Sequence, residues 1–274
     1  MKGKIPESKY DDIVYKYIEE NLNCSQIARD YGVSYKTIRL ILIKRGVDIR
    51  NNQSDLQQKF KLNQNFFSHI DEEDKAYFLG LMISDGSNFE KNNCVSIEIN
   101  KKDEEILEKF KLALNSEHPL YYPKGRESVL LSIRNKKMSS DLAKLGCFSN
   151  KSLKLDAPSF EVVPEKFYKD FLRGYFDGDG NLNYYFDKRS MSYNPKVTMV
   201  STLSFCQKIK TFLKEKIKIN SSIYKRKDYD GQTRSLCISG KHQVKGFLDY
   251  IYESHSVSLD RKRENICEWG NYIK

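Results

Sequence analysis

What this sequence lacks narrows it first. No stretch approaches the ~18 consecutive apolar residues of a membrane-spanning helix, and the mean hydropathy is −0.66. The opening Met1-Lys2-Gly3-Lys4-Ile5-Pro6 has no apolar core segment, so no secretory signal is expected. The six cysteines (Cys24, Cys94, Cys147, Cys206, Cys237, Cys267) form no C-x-x-C pair. The four histidines (His69, His118, His242, His255) form no H-x-x-x-H type pair, so finger and ribbon zinc sites lack their ligand spacing. Scattered thiols in a basic chain suggest free cysteines in a reducing compartment, and the expected location is cytoplasmic. A hydrophobic fraction of 39%, with 14 Gly and 6 Pro, argues against disorder.

What is present is positive charge on a folding composition. The 274 residues carry 47 Lys+Arg against 37 Asp+Glu, a net +10. That balance favours a polyanionic partner, nucleic acid before an acidic membrane. The length suits one large or two smaller domains.

Residues 9–46 read as three short helices. Tyr10, Ile13, Val14, Tyr17 and Ile18 recur at helical spacing. Ile27, Tyr31, Val33, Ile38 and Ile41 then form the inner face of two helices meeting at a tight turn. Ala28 is small where the second helix must come close, Gly32 stands where the chain reverses, and Ser34 is a good N-cap. The pattern resembles a helix-turn-helix over residues 1–50. In that motif the second helix enters the major groove, which would bring Ser34, Tyr35, Lys36 and Arg39 to bases, with Lys44, Arg45 and Arg50 near phosphates. Residues 51–70 read as a linker, because the Asn- and Gln-rich stretch from Asp48 to Phe66 lacks periodicity.

An internal repeat follows. Ala76-Tyr77-Phe78-Leu79-Gly80-Leu81-Met82-Ile83-Ser84-Asp85-Gly86 is echoed by Asp170-Phe171-Leu172-Arg173-Gly174-Tyr175-Phe176-Asp177-Gly178-Asp179-Gly180. Each copy leads into an alternating strand, Val95–Asn100 or Val197–Thr202, and an amphipathic helix. Matching strand ends follow, Leu131–Lys136 and Leu236–Lys241, and then a closing helix. The order α-β-β-α-β-β-α thus occurs twice, over residues 71–155 and 156–274.

Elementary chemistry singles out the ends of the repeated segments. Gly80 and Gly174 inside apolar helices allow two helices to approach backbone to backbone, a reason to accept about 0.5–1 kcal/mol of lost helix propensity. Gly86 and Gly180 are expected as left-handed helix terminators. Asp85 and Asp179 then lie at helix carboxyl ends, where the macrodipole disfavours an anion and two carboxylates repel each other. A hard divalent cation resolves both conflicts, and Mg²⁺ suits such oxygen ligands. The string Asp177-Gly178-Asp179-Gly180-Asn181 is not a calcium loop, since Leu182 and Lys188 replace the required Gly and Glu.

These residues resemble the LAGLIDADG homing endonucleases, in the single-chain form with two pseudo-symmetric halves. Leu145-Gly146, Lys151-Ser152-Leu153 and Leu259-Asp260-Arg261-Lys262 are further matches. The resemblance implies an α+β fold: two αββαββα repeats forming a DNA-binding saddle, here preceded by the small all-α segment. It implies a metal-dependent endonuclease that hydrolyses both strands of duplex DNA at a specific site, with Asp85 cutting one strand and Asp179 the other. The carbonyls of Ser84 and Gly178 become candidate metal ligands. Lys136 and Lys241 match a strand-end basic residue, Lys137 competing for the first role. Ile83 departs from the motif where Asp177 keeps it, and Leu79 and Arg173 occupy its small-residue position, expected to face outward.

Helices would cover one face of each sheet and DNA the other. Strand alternation assigns the open face to Ser87, Phe89, Lys91, Ser96, Glu98, Asn100, Ser132 and Arg134 in repeat one. In repeat two it assigns Asn181, Asn183, Tyr185, Thr198, Thr202, Arg226, Arg234 and Ser235, with Lys225-Arg226-Lys227 suited to phosphates. Both centres lie in one chain, so a monomer suffices. A non-cleaving DNA-binding regulator and an intron maturase on the same scaffold are the alternatives.

Overall fold

The computed structural model describes residues 5–20, 22–47, 49, 60–148, 155–188, 191–226 and 233–272. Arg50, most of the expected linker, Lys151-Ser152-Leu153 and Lys227 therefore lie outside the described residues. The chain divides into two compact units, Met1–Phe60 and Lys61–Lys274.

The first unit is helical: α1 (Tyr10–Ile18), α2 (Cys24–Asp30) and α3 (Tyr35–Lys44). Asn23 caps α2 by accepting from Ser25 N and Gln26 N, while Gln26 Oε1 accepts from Asn23 N at 2.8 Å. This reciprocal box fixes where the helix begins. Gly32 takes φ +63° in the turn, and Ser34 Oγ accepts from Thr37 N at 3.2 Å to start α3. Ile13, Tyr17, Ile27, Ala28, Ile38, Ile41 and Leu42 close the small core.

The second unit contains the duplicated order. Repeat one runs α4 (Glu73–Ser84), β1 (Gly86–Phe89), β2 (Cys94–Asn100), α5 (Glu105–Ala113), β3 (Leu120–Tyr121), β4 (Ser128–Arg134) and α6 (Lys136–Lys144). Repeat two runs α7 (Tyr168–Asp179), β5 (Gly180–Asp187), β6 (Ser192–Thr202), α8 (Leu203–Lys216), β7 (Ser222–Lys225), β8 (Thr233–Ser239) and α9 (Lys241–Tyr252), with α10 (Asp260–Tyr272) after it. The two sheets are antiparallel and share one topology, β1-β2-β4-β3 and β5-β6-β8-β7. The register aligns Gly86, Ile97 and Leu131 across the first sheet and Gly180, Met199 and Leu236 across the second.

The core explains why the first repeated segment is apolar all round rather than on one stripe, and why the second buries even its polar residues. Every residue from Ala76 to Ile83 is buried, as is every residue from Phe171 to Asp177, because α4 and α7 pack on each other and on both sheets. The segment 61–70, expected as linker, belongs to this unit. Phe66 and Phe67 sit in the core against Phe110, with Ile70 also buried. Three large apolar side chains cannot remain in a solvated tether when a core is within reach. Among the described residues, no helix is long and apolar enough to cross a membrane.

Candidate active site at the paired motif helices

The site begins with two glycines. A Cβ on Gly80 would lie 2.2 Å from the Phe171 carbonyl oxygen, and one on Gly174 would lie 1.9 Å from that of Tyr77. The two helices therefore touch through their backbones, and their carboxyl ends emerge side by side. At those ends a Cβ on Gly178 would meet Ser84 Oγ at 1.9 Å and Asp85 Oδ2 at 2.7 Å. Asp85 thus reaches across to the last turn of the other repeat's helix. Asp85 and Asp179 are exposed, and both charges act on Tyr175 and on Lys262. The fold brings the two carboxylates into one electrostatic neighbourhood open to solvent.

Gly86 and Gly180 do not serve as left-handed terminators. Gly180 is extended, φ −80° and ψ 149°, and the left-handed glycines are Gly32, Gly46, Gly125, Gly146 and Gly240. Space is what requires glycine here. A Cβ on Gly86 would sit 2.4 Å from Met82 Cε, and one on Gly180 2.1 Å from the Phe176 ring. Each helix runs straight into its strand, so each Asp stands at the start of a sheet.

Lys262, on the first turn of α10, is a cation beside the carboxylates that the spacing of the motifs did not single out. Its Nζ donates to the carbonyls of Phe176 (2.6 Å), Gly178 (3.3 Å) and Gly180 (2.5 Å), closing the carboxyl end of α7. A cation at that position complements the helix dipole. Burial pushes its ammonium down to about 8, against the opposing pull of Asp177, Asp85 and Asp179. The one signal for it in the sequence is the Leu259-Asp260-Arg261-Lys262 string, but its place at the site depends on a fold-back over more than eighty residues of chain.

A polar edge on α7 holds that fold-back. Arg173 is fully buried, not outward-facing. It donates to Val257 O (2.7 Å) and Ile251 O (2.9 Å) and lies 2.8 Å from Asp170. Leu79, its counterpart on α4, is buried as well. The small-residue position faces inward because α4 and α7 have protein on every side. One turn beyond Arg173, Asp177 accepts from Tyr77 Oη (2.7 Å), Leu259 N (2.8 Å) and Tyr252 Oη. Burial raises the Asp177 carboxyl, and the phenols of Tyr77 and Tyr252 are raised well above their usual range by burial and by this carboxylate. Arg261 completes the clamp with a two-pronged pair to Asp103, both distances 2.8 Å. A cleft of about 240 Å³ opens here, lined by Asp85, Glu98, Asn100, Asp103 and Arg261 among others.

The structure separates the other expected basic residues from the carboxylates. Lys136 and Lys241 open α6 and α9, each five residues beyond the strand position aligned with Gly86 or Gly180. That puts them roughly 15 Å along the strand from the Asp end. Periodicity located the strand ends but not the direction in which they point. Lys137 donates to Ser68 Oγ at 2.7 Å and also pairs with Asp141.

On the first sheet, Ser87, Phe89, Ser96, Glu98, Asn100, Ser132 and Arg134 share the open face by register, joined by Cys94, Leu130 and Tyr121. Lys91 lies in the 3-10 turn after β1. Glu98 accepts from Ser128 Oγ at 2.6 Å, a bond that lowers its carboxyl. On the second sheet, Asn181, Asn183, Tyr185, Thr198 and Ser235 share a face with Asn194, Lys196 and Tyr224. Arg226 follows β7. Arg234 pairs with Ser201 and belongs to the opposite face, since adjacent strand residues alternate. Thr202 is buried and occupied: its hydroxyl donates to Leu155 O and accepts from Phe205 N, capping α8. In the first unit Lys36 and Arg39 are exposed, while Ser34 serves as a cap and Tyr35 packs on the core.

Residues 166–252, most of repeat two, match the family model described as a LAGLIDADG-like domain. No curated protein matches the chain. Among solved structures, the LAGLIDADG meganuclease I-AabMI bound to uncleaved DNA superposes with a TM-score of 0.50 at 10% identity, covering 72% of this chain and 90% of that one. The I-LtrWI LAGLIDADG homing endonuclease bound to target DNA gives 0.49 at 12% identity, covering 74% and 88%. The similarity to that family model is thus confined to residues 166–252. The second unit as a whole has the two-repeat LAGLIDADG fold, with both motif helices in a single chain.

Proposed function

We propose that this protein is a site-specific endonuclease that hydrolyses both strands of duplex DNA with a divalent metal, Mg²⁺ being the expected ion. One observation carries the reading: two exposed carboxylates from separate repeats emerge together where α4 and α7 touch, at the head of two open sheet faces. The donor set fits a hard cation. Asp85, Asp179 and the carbonyl of Ser84 would offer it oxygen ligands, whereas the Gly178 carbonyl is already shared with Lys262. Among the described residues no group of three or more His, Cys, Asp or Glu gathers, so waters and phosphate oxygens would complete the shell, as Mg²⁺ tolerates. When bound, such an ion supplies an activated water and stabilises the oxygens of the phosphodiester in displacement. The chain's own part is to hold the two carboxylates at fixed separation on a rigid helix pair and to set the Lys262 ammonium beneath them, where it stabilises developing phosphate charge. The open faces supply Asn, Ser, Arg and Lys for groove contacts. The first unit adds a second DNA contact through Lys36 and Arg39.

The test is incubation of the full chain with Mg²⁺ and a plasmid pool carrying a randomised insert, followed by capture of linear products. Wild type is expected to linearise a subset sharing a sequence. Asp85→Asn or Asp179→Asn should leave at most a nick in one strand. Binding without scission by wild type would point instead to a regulator and defeat the nuclease reading.

A further inference from the structure

The two sheets share a topology but not a reach. Both first strands leave the carboxylates directly, β1 from Asp85 and β5 from Asp179, so every strand residue is a step away from the point of scission. β1 ends after four residues at Phe89. β5 continues for eight, to Asp187, paired along its whole length with β6 through Tyr184↔Pro195, Tyr185↔Asn194, Phe186↔Tyr193 and Asp187↔Ser192. At ~3.3 Å per residue, the first arm extends about 13 Å and the second about 26 Å. The additional length, about 13 Å, matches roughly four base pairs at ~3.4 Å rise.

The chemistry of the extension suits a duplex. Its open face adds Tyr185 on β5 and Asn194 on β6, a phenol and an amide that can pair with base edges, to the row Asn181, Asn183 and Lys196 that precedes it, where the cation suits phosphate. Lys196 Nζ also lies 5.8 Å from the Tyr224 ring centre, so the cationic side chain is held on that face. The other face is aromatic beyond the helices, with Tyr184, Phe186 and Tyr193 44–67% exposed and Phe186 edge-on to Tyr193 at 5.2 Å. The ring pair stiffens an arm that has no helix behind it. Repeat one has no counterpart: its strands join through the 3-10 turn Glu90–Asn92 directly after Phe89.

We propose that the protein reads an unequal target, in which the half-site under repeat two extends about four base pairs farther from the cleavage point than the half under repeat one. Tyr185 and Asn194, which pair across the additional length, determine specificity at those outer positions. This rests on the DNA-endonuclease reading and adds to it the shape of the target.

The experiment selects cleaved duplexes from a randomised pool with the full chain and Mg²⁺, then repeats the selection with Tyr185→Ala/Asn194→Ala and with Tyr185→Ser alone. Wild type should give base preferences reaching farther on one side of the cut. In the variants the outermost preferences on that side should fall from about tenfold or more to near none, as expected when a base contact is removed. The inner positions of both halves should keep theirs. Equal half-sites, or variant effects on the shorter side or spread over both, would overturn the inference while leaving the nuclease intact. A wild-type chain that enriches no sequence would overturn the reading beneath it as well.

Discussion

Replacing Gly174 and Gly178 by alanine separates what the helix pair does for the fold from what it does for the site. At Gly174 the new Cβ would be 1.9 Å from the Tyr77 carbonyl oxygen, 2.8 Å from its carbon and 3.1 Å from Leu81 N, all backbone. Ordinary contact needs about 3.4 Å, so α4 and α7 must part by roughly 1.5 Å along a fully buried seam. Overpacking of this kind costs about 1–3 kcal/mol even when side chains can yield, and here none can. We expect a loss of at least about 3 kcal/mol, which for a unit of this size lowers Tm by roughly 6–12 °C. At Gly178 the clash is with Ser84 Oγ (1.9 Å), Ser84 Cβ (2.6 Å) and Asp85 Oδ2 (2.7 Å). Side-chain rotation relieves the Oγ and Oδ2 contacts, the Ser84 Cβ contact requires the two helix ends to part by about 0.8 Å, and Ala restores up to about 1 kcal/mol of helix propensity. The carboxylate of Asp85, however, is moved. Gly178→Ala should therefore melt within a few degrees of wild type but cut at least about a hundredfold more slowly in single turnover, since misplacement of about 1 Å is enough for that. Thermal denaturation of the metal-free chain and single-turnover cleavage of a selected target measure the two effects. A Gly174→Ala protein with wild-type Tm would refute the backbone contact, and a Gly178→Ala protein with wild-type rate would refute the placement of Asp85.

Four further outcomes are expected. Lys262→Met should slow cleavage on the order of a hundredfold with little change in duplex affinity. The same change should alter the pH dependence of metal-free stability: with the folded ammonium at about 8 and the unfolded one near 10.4, wild type bears the cost of a buried charge in full below pH 8 and sheds it as pH rises toward 10.4. At most about 3 kcal/mol is involved, so the stability of wild type should gain on Lys262→Met across that window, as denaturant titrations at several pH values would register. Asp177→Asn leaves fewer acceptors for Tyr77, Tyr252 and Leu259 N, and should cost about 2–4 kcal/mol while accelerating amide exchange at Leu259; unchanged exchange there would contradict its hold on the approach to α10. Removing residues 1–60 should weaken duplex binding and flatten its salt dependence by about 0.9 in log–log slope for each phosphate that the shortened chain no longer neutralises, whereas an unaltered slope would exclude the first unit from the interface.

The amino-acid sequence alone determined the elements that depend on local pattern. The recurrence of Gly80 and Gly174, each six residues before a second glycine with an Asp ahead of it, specified two close-packed helices and the carboxylates at their ends. Strand alternation assigned Ser87, Ser96, Glu98, Ser132, Asn181 and Asn183 to one face, because a period of two needs no knowledge of partners. Tertiary structure decided everything that depends on which surfaces meet. Arg173 is buried because α7 is enclosed on all sides, which a helical period cannot reveal. Arg234 and Ser235 could not both face outward, and only the pairing with Ser201 and Val200 chose between them. Lys136 and Lys241 are set apart from the carboxylates by register, while Lys262, distant in the chain, is carried onto the end of α7 by Asp177 and Arg261. Local spacing encodes helices and strands through hydrogen bonds a few residues apart; the electrostatics of the site depend on contacts among residues more than eighty positions apart, which only the packed core brings together.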